Sequence, residues 1–326
     1  MPDVTLDTIE TTTQQALMVH GAAEWIAASV ARAVRRAEET GNVICGLYYL
    51  ESYCLQLRSG RVNGVVEPIV SRPRPGAVKS DAGYGFAQPA FDRALPEAVT
   101  AAHENGVAAL AVAHAHTCTS LGYFTEGIAT QGLLGLGFTN ASPIVAPPGG
   151  KNRIIGTNPI AFSVPDSHGG LAIHVDQSTT TVALGKITMA KAAGEAIPEG
   201  WAVDAEGRPT TDPDAALAGS LVSLGGVKGW GFGIMAEIMA AAMTGSVNSL
   251  DVAGLKHSAG DPHGLGQFYL LLDPGTFSNG FLQRLERLSA AVEQDAGTRL
   301  PGSKRRSLNP VAVPDALWDT VQGLAG

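Results

Sequence analysis

The sequence predicts an α/β protein built from more than one lobe, and three observations carry that prediction. The first 60 or so residues have helical periodicity throughout. The middle of the chain alternates short apolar runs with helical ones. Two stretches rich in Gly and Pro, TNASPIVAPPGGKNRIIGTNPIAFSVP at 139–165 and GGVKGWGFGIMAE at 225–237, interrupt this apolar sequence. Gly permits positive φ and close approach of a neighbour, and Pro pins φ. Such loops fix backbone shape, and shaped loops between regular elements are where sites usually sit.

In chain order, 5–19 and 22–40 read as helices, with Gly21 and Gly41 where C′ glycines belong. A third helix is expected over 46–57, because Leu47, Leu50, Cys54 and Leu57 recur at three and four. SGRVNG (59–64) ends it as a turn, and Pro-punctuated extended sequence fills 65–90. A helix near 95–105, a strand 107–113, a helix 120–131 and a strand 133–138 follow, in the pattern of one crossover unit. Short strands are expected at 160–164 and 171–175, and a mixed, partly helical run at 179–192. Residues 198–213 form a polar excursion, 229–244 a helix and 267–272 a strand. An amphipathic helix over 278–296 points Phe281, Leu282, Leu285 and Leu288 inward, and a short helix near 314–323 ends the chain.

Composition narrows the classes of function. With 326 residues, 45% of them hydrophobic and 16% charged, the chain is globular and long enough for a full core. The net charge of −8, with no basic run beyond Lys304-Arg305-Arg306, argues against a nucleic-acid partner. Three cysteines without a CxxC pair do not make a disulfide framework. The N-terminus lacks a basic region followed by an apolar one, and the apolar run near 229–243 is broken by Glu237 and Gly. A cytoplasmic protein with no membrane partner is therefore expected.

Several residues are candidates for chemistry. No GxGxxG follows an early strand and no GxxxxGK[ST] is present, so neither a Rossmann nor a P-loop reading is supported. Lys228 sits in a Gly-rich turn that opens a helix, which fits an anion site or a helix start packed closely against a sheet. Glu237 lies in an apolar helix and needs partners there; a supporting role is favoured over a catalytic one. His114 and His116 alternate after a strand, but no third ligand is apparent, so proton transfer or ligand contact suits them better than a metal. Asp176 ends a strand before a run of hydroxyl residues, as an acid/base group or as a helix cap. His263, before a strand, is a candidate for the edge of the site.

Taken together, LRSGRVNG, TNASPIVAPPGGK, GTNPIAFSVP, IPEGWAVDAEGRPTTDP and LGGVKGWGFGIMAEI resemble, in order and spacing, the malate/L-lactate dehydrogenase family of the non-Rossmann type. That family includes sulfolactate and ureidoglycolate dehydrogenases and reductases of Δ1-piperideine-2-carboxylate and Δ1-pyrroline-2-carboxylate. The resemblance implies a non-Rossmann NAD(P)-binding central domain with a mixed sheet, plus an N-terminal helical lobe packed with the C-terminal segment. The implied division is 1–64 for the helical lobe, 65–115 for a first α/β lobe, 116–275 for the central domain and 276–326 for a returning helix and tail. It also implies NADPH or NADH as cofactor, a homodimer, and a small imino or oxo acid as substrate.

By the same resemblance, His116, Thr117, Asn140, Ala141 and Ser142 would line the cofactor. So would Asp176, Gln177, Ser178, Lys228, Gly229 and His263. Departures from the family pattern matter equally. The family Ser-His-Gly falls on Ile44-Cys45-Gly46, and its Arg falls on Tyr49. Its second His after the strand is Thr117 here, whereas its Asp is retained as Asp176. Asp176 and His116, with Cys45 in the place of the missing His, become the catalytic candidates. Tyr48, Tyr49, Ser52 and Thr157 become the candidates for holding substrate. A cyclic imine can be protonated on nitrogen before hydride arrives, so imine reduction is expected ahead of 2-hydroxy-acid dehydrogenation, with a non-catalytic binder third.

Overall fold

A computed structural model describes residues 1–303 and 307–326; the basic run expected at 304–306 lies outside the described residues. The helical lobe forms from Leu6–Val19, Glu24–Glu39 and Leu50–Ser59, whose apolar stripes bury Ile9, Leu17, Ile26, Val30, Leu50 and Cys54 together. Thr5 caps the first helix by accepting from the Thr8 N–H. The chain end closes this lobe: Val311–Ala312 pairs with Asp3–Val4, and the helix Asp315–Ala325 inserts Trp318 and Val321 into the same core.

The third helix begins later than its spacing predicts. Two 3-10 turns, Val43–Cys45 and Leu47–Tyr49, precede it, joined at Gly46. Glu38 reaches from the second helix to accept the Leu47 N–H at 2.7 Å, and its carboxylate fills the space a Cβ of Gly46 would need. The periodicity was right about what is buried, since Leu47, Leu50 and Cys54 are all inside, but an external acceptor reshapes the first turn.

Seven strands form one sheet in the order Ile69–Arg74, Ala77–Asp81, Val107–Ala115, Leu265–Leu272, Leu134–Thr139, Ile160–Pro165, Leu171–Gln177. Only Ala77–Asp81 and Val107–Ala115 run parallel; the other neighbours are antiparallel. This corrects the simple crossover reading. Val107–Ala115 and Leu134–Thr139 are not neighbours, because Leu265–Leu272 enters from far along the chain and pairs with both. Its Tyr269 and Leu271 are fully buried, so the inserted strand completes the core between them. The expected boundary at 115/116 coincides with the end of the strand Val107–Ala115.

The helix Ala87–Asn105 starts well before the expected 95. Pro89 falls in its first turn, where a missing N–H costs nothing, and Pro96 lies on its exposed face. The shaped stretch and the polar excursion fold into a third core of Val145, Ile155, Val182, Ile187 and Leu221. It carries a small sheet of Ala202–Val203, Pro209–Thr210 and Ser220–Leu221. The helix Phe281–Val292 corrects another expectation: none of its residues is buried in this chain, and Leu288 is 51% exposed. Among the described residues no helix is long and apolar enough to cross a membrane.

Candidate active site

Asp176, on the edge strand Leu171–Gln177, reaches the start of the helix Leu121–Ala129. It accepts the Gly122 N–H at 2.8 Å and the Ser120 hydroxyl at 3.0 Å. Asp176 thus acts as a capping acceptor, an exposed side chain held at a helix N-terminus that favours negative charge. Gly122 permits this approach, since a Cβ there would meet Asp176 at 2.7 Å.

The two 3-10 turns bring Cys45, Tyr48 and Tyr49 to the same region. Burial, reinforced by the Asp176 carboxylate, pushes the Cys45 thiol up to about 12. Burial likewise pushes the Tyr49 phenol up to about 12, with Cys45 close enough to add to the effect. Cys45 and Tyr49 thus keep their protons at neutral pH. Cys45 is half-buried, and neighbouring Ile44 lies against Gly185 of the helix Leu184–Ala193, which brings the helical lobe over the third core. Ser52 is half-buried on the helix Leu50–Ser59.

The two histidines at the strand end part ways. His114, at φ 51°, places Nδ1 3.1 Å from both oxygens of Asp81 and stays half-exposed. His116 turns inward and is only 2% exposed. It stacks on His263 with ring centroids 4.0 Å apart and lies edge-on to Tyr53 and Phe86. Its Nε2 meets Gln56 Oε1, while the Gln56 amide donates to the carbonyls of Leu255 and His257. With its amide so oriented, Gln56 Oε1 accepts a hydrogen bond from the His116 Nε2–H. Burial holds His116 well below the usual imidazole range and lowers His263 to about 3, so both rings are neutral. His263 Nδ1 accepts the backbone N–H of Thr117.

The expected cofactor segments divide by role. Asn140 is buried and bridges the Val247 carbonyl and the Gly266 N–H. Ala141 and Ser142 are half-buried, and a Cβ at Gly156 would strike the Ala141 carbonyl, so these two strands of the shaped stretch need that Gly. The Thr157 carbonyl accepts from the N–H and hydroxyl of Thr179. Gln177 is exposed, and the Ser178 hydroxyl meets that of Thr180 at 2.9 Å. Asn158 and Ser249 both bond to Glu237, the supporting role expected for that carboxylate.

The helix Val227–Glu237 opens at Gly226 with φ 65° and no side-chain cap. A Cβ at Gly225 or Gly226 would meet nothing within 4 Å, so open space lies beside this helix start, and the Gly226 N–H turns back onto the Ser223 carbonyl. Exposed Lys228 stands beside it, and the buried Ser223 hydroxyl just before the turn has no partner. These are the features of an anion cradle. Gly229 belongs to the packing: a Cβ there would collide with the Leu224 carbonyl. Lys191 is paired with Asp214, and Arg208 with Asp204 and Glu206. Lys186 is exposed. Among the described residues no three His, Cys, Asp or Glu side chains could hold a metal ion together.

Reasoning from sequence missed Gln56, Tyr53 and Lys256. A Gln on the apolar stripe of the third helix was a signal for the first; Lys256, in an aperiodic loop, gave none. Its Nζ lies 3.4 Å from the Tyr48 ring centroid and 4.7 Å from that of Tyr49.

Set beside known proteins, a chain with this mixed sheet and helical lobe is an oxidoreductase. It belongs to the malate/L-lactate dehydrogenase family, whose model matches residues 4–321. It is 38% identical to a (2R)-3-sulfolactate dehydrogenase (NADP(+)) of Chromohalobacter salexigens, over 99% of this chain and 98% of that protein. It is 36% identical to a Δ1-pyrroline-2-carboxylate reductase of Ancylobacter novellus, over 94% and 93%. The solved Δ1-piperideine-2-carboxylate reductase of Pseudomonas syringae pv. tomato superposes with a TM-score of 0.92 at 32% identity, covering 99% of this chain and 100% of that one.

Proposed function

We propose that the protein is an NAD(P)H-dependent reductase of cyclic 2-imino acids, taking Δ1-pyrroline-2-carboxylate or Δ1-piperideine-2-carboxylate to proline or pipecolate. The observation that carries this reading is the seclusion of His116: it is buried, neutral and bonded to Gln56, so it is poorly placed to give a proton to a developing alkoxide. A cyclic imine arrives with its proton already on nitrogen and needs no such donor.

The cofactor would be held by the Gly225–Gly229 turn, Lys228 and the segment around Ser178, and would supply the hydride. The chain's own groups do the rest. Asp176, anchored by Gly122 and Ser120, faces the positive charge of a protonated imine and stabilises it by Coulomb attraction and a charge-assisted hydrogen bond. The Tyr49 phenol, protonated at neutral pH, offers a donor, and Cys45 fills space as a thiol. Transfer of hydride to C2 then converts the C=N bond to an amine while the nitrogen keeps its proton.

A homodimer is part of this proposal. Val227, Phe232, Met235, Ile238 and Met243 are each at least 50% exposed along one helix and its π-helical extension, more apolar surface than a lone chain ordinarily leaves to water.

The sulfolactate dehydrogenase relative supports a second reading, oxidation of a 2-hydroxy acid. Oxidation of NADPH or NADH followed at 340 nm, with both cyclic imines, pyruvate, oxaloacetate and sulfopyruvate in parallel, separates the two. Turnover of the imines alone is expected; faster turnover of the oxo acids would replace the first reading with the second.

A further inference from the structure

We infer that Lys256 is the cation that receives the substrate carboxylate, and that as a lone charge it selects singly charged ring acids over dianions. The inference rests on the imino-acid reading above and names the residue that reading lacks. Any 2-imino acid enters with an ionised carboxylate, and a carboxylate leaving water needs a partner. Tyr49, where the family pattern has Arg, supplies only a neutral phenol.

Two cations belong to the contact between the third helix, the turn after it and the loop 254–261. Arg61 is 1% exposed and committed to backbone, donating to the carbonyls of Gly254, His257 and Asp261. Lys256 is exposed, and its ammonium rests on the faces of Tyr48 and Tyr49. Among the described residues no other Lys or Arg is recorded against either ring, and no salt bridge is recorded for Lys256.

The loop that carries Lys256 is not left to chance. Gln56 holds the carbonyls of Leu255 and His257, and Ser59 holds that of Ser258, so the backbone is bound on both sides of the lysine. Its root is fixed and its head is free. An ammonium on aromatic faces gains modestly at an exposed site, and an incoming carboxylate offers a stronger partner. Tyr49 links this cation to the candidate site, because Tyr49 and Cys45 lie on the consecutive 3-10 turns Leu47–Tyr49 and Val43–Cys45, and the Asp176 carboxylate acts on the Cys45 thiol. A ring acid with its carboxylate on Lys256 can therefore present its C=N bond toward Asp176. A substrate with a second acidic group would meet no second cation on these rings. Lysine, a point charge without the guanidinium fork, sets less geometry and suits a small carboxylate.

The test is Lys256→Met and Lys256→Arg, with kinetics on Δ1-pyrroline-2-carboxylate and on Δ1-pyrroline, the same ring without its carboxylate. Calorimetric binding of pyrrole-2-carboxylate, a planar ring acid that accepts no hydride, gives a readout apart from activity. For K256M, KM for the carboxylate-bearing imine should rise at least tenfold with a smaller change in kcat. Its preference for that imine over Δ1-pyrroline should fall by a similar factor, and K256R should recover most of both. Binding of pyrrole-2-carboxylate should weaken in parallel while dinucleotide binding, read by fluorescence, holds. Unchanged KM and unchanged pyrrole-2-carboxylate affinity in K256M would overturn the inference and leave the imine reading standing. A wild type active on sulfolactate but on no imine would overturn that reading and, with it, the claimed preference for singly charged acids.

Discussion

At Asp176 and Cys45, two side chains close in space carry opposite expectations. Asp176 is held as an acceptor by Gly122 and Ser120 and is the exposed carboxylate of the site. Asp176→Asn keeps an acceptor for those donors but removes the charge facing a protonated imine. Its kcat on Δ1-pyrroline-2-carboxylate should fall by roughly 100-fold or more with little change in melting temperature. Near wild-type turnover would dismiss the assigned role. Cys45, its thiol pushed up to about 12, should behave as an inert space-filler. At pH 7.5 iodoacetamide should leave it unmodified, by mass spectrometry, long after a small-molecule thiol has reacted. Cys45→Ala should retain most activity; rapid labelling with loss of activity would restore a chemical role for the thiol.

Among the elements, the 3-10 segment before the third helix depends most on one distant group. Glu38 is buried, and burial raises its carboxyl above the usual 4.5 despite the Leu47 N–H that it accepts. A raised folded value makes the proton-bound form the stable one. That stability is complete below pH 4.5 and is lost as pH rises through the folded value. Glu38→Gln keeps an oxygen for Leu47 and cannot ionise. Its melting temperature should therefore gain on wild type as pH rises from 4.5 to 7, measured by scanning calorimetry. A constant deficit at every pH would mean that the charge itself holds the turn. The helix Val227–Glu237 shows the opposite arrangement, a sequence signal with two causes. Its glycines divide between packing, at Gly229 and Gly233, and open space, at Gly225 and Gly226.

For the whole molecule, three cores meet around one site. The helical lobe supplies Tyr48 and Tyr49, the central sheet supplies Asp176, and the third core brings the helix Leu184–Ala193 against Ile44. In the dimer proposed above, a second copy would cover the exposed apolar residues at 227–243. Light scattering on the eluting protein should report twice the 33.5 kDa chain mass, and Met235→Lys with Ile238→Lys should shift it toward that mass. A monodisperse monomer in wild type would remove the dimer from the proposal.

What could be read along the chain was what is local. Spacing of three and four placed the helices of the first lobe and their buried residues, Gly and Pro marked the shaped loops, and the order of short motifs was enough to recognise the family. Asp176 was also legible, as a carboxylate at a strand end before a run of hydroxyls. The partners that set each group's chemistry were not. His116 looked like an available imidazole until Gln56, 60 residues away, accepted its Nε2–H and His263 covered its face. Gln56 in turn meets the His257 carbonyl across 201 residues, and that contact helps root Lys256 beneath two tyrosines. Periodicity reports only whether a side chain faces inward. Its protonation and its reach depend on burial and on neighbours brought by the inserted strand Leu265–Leu272 and the loop before it, which exist only once distant segments have paired.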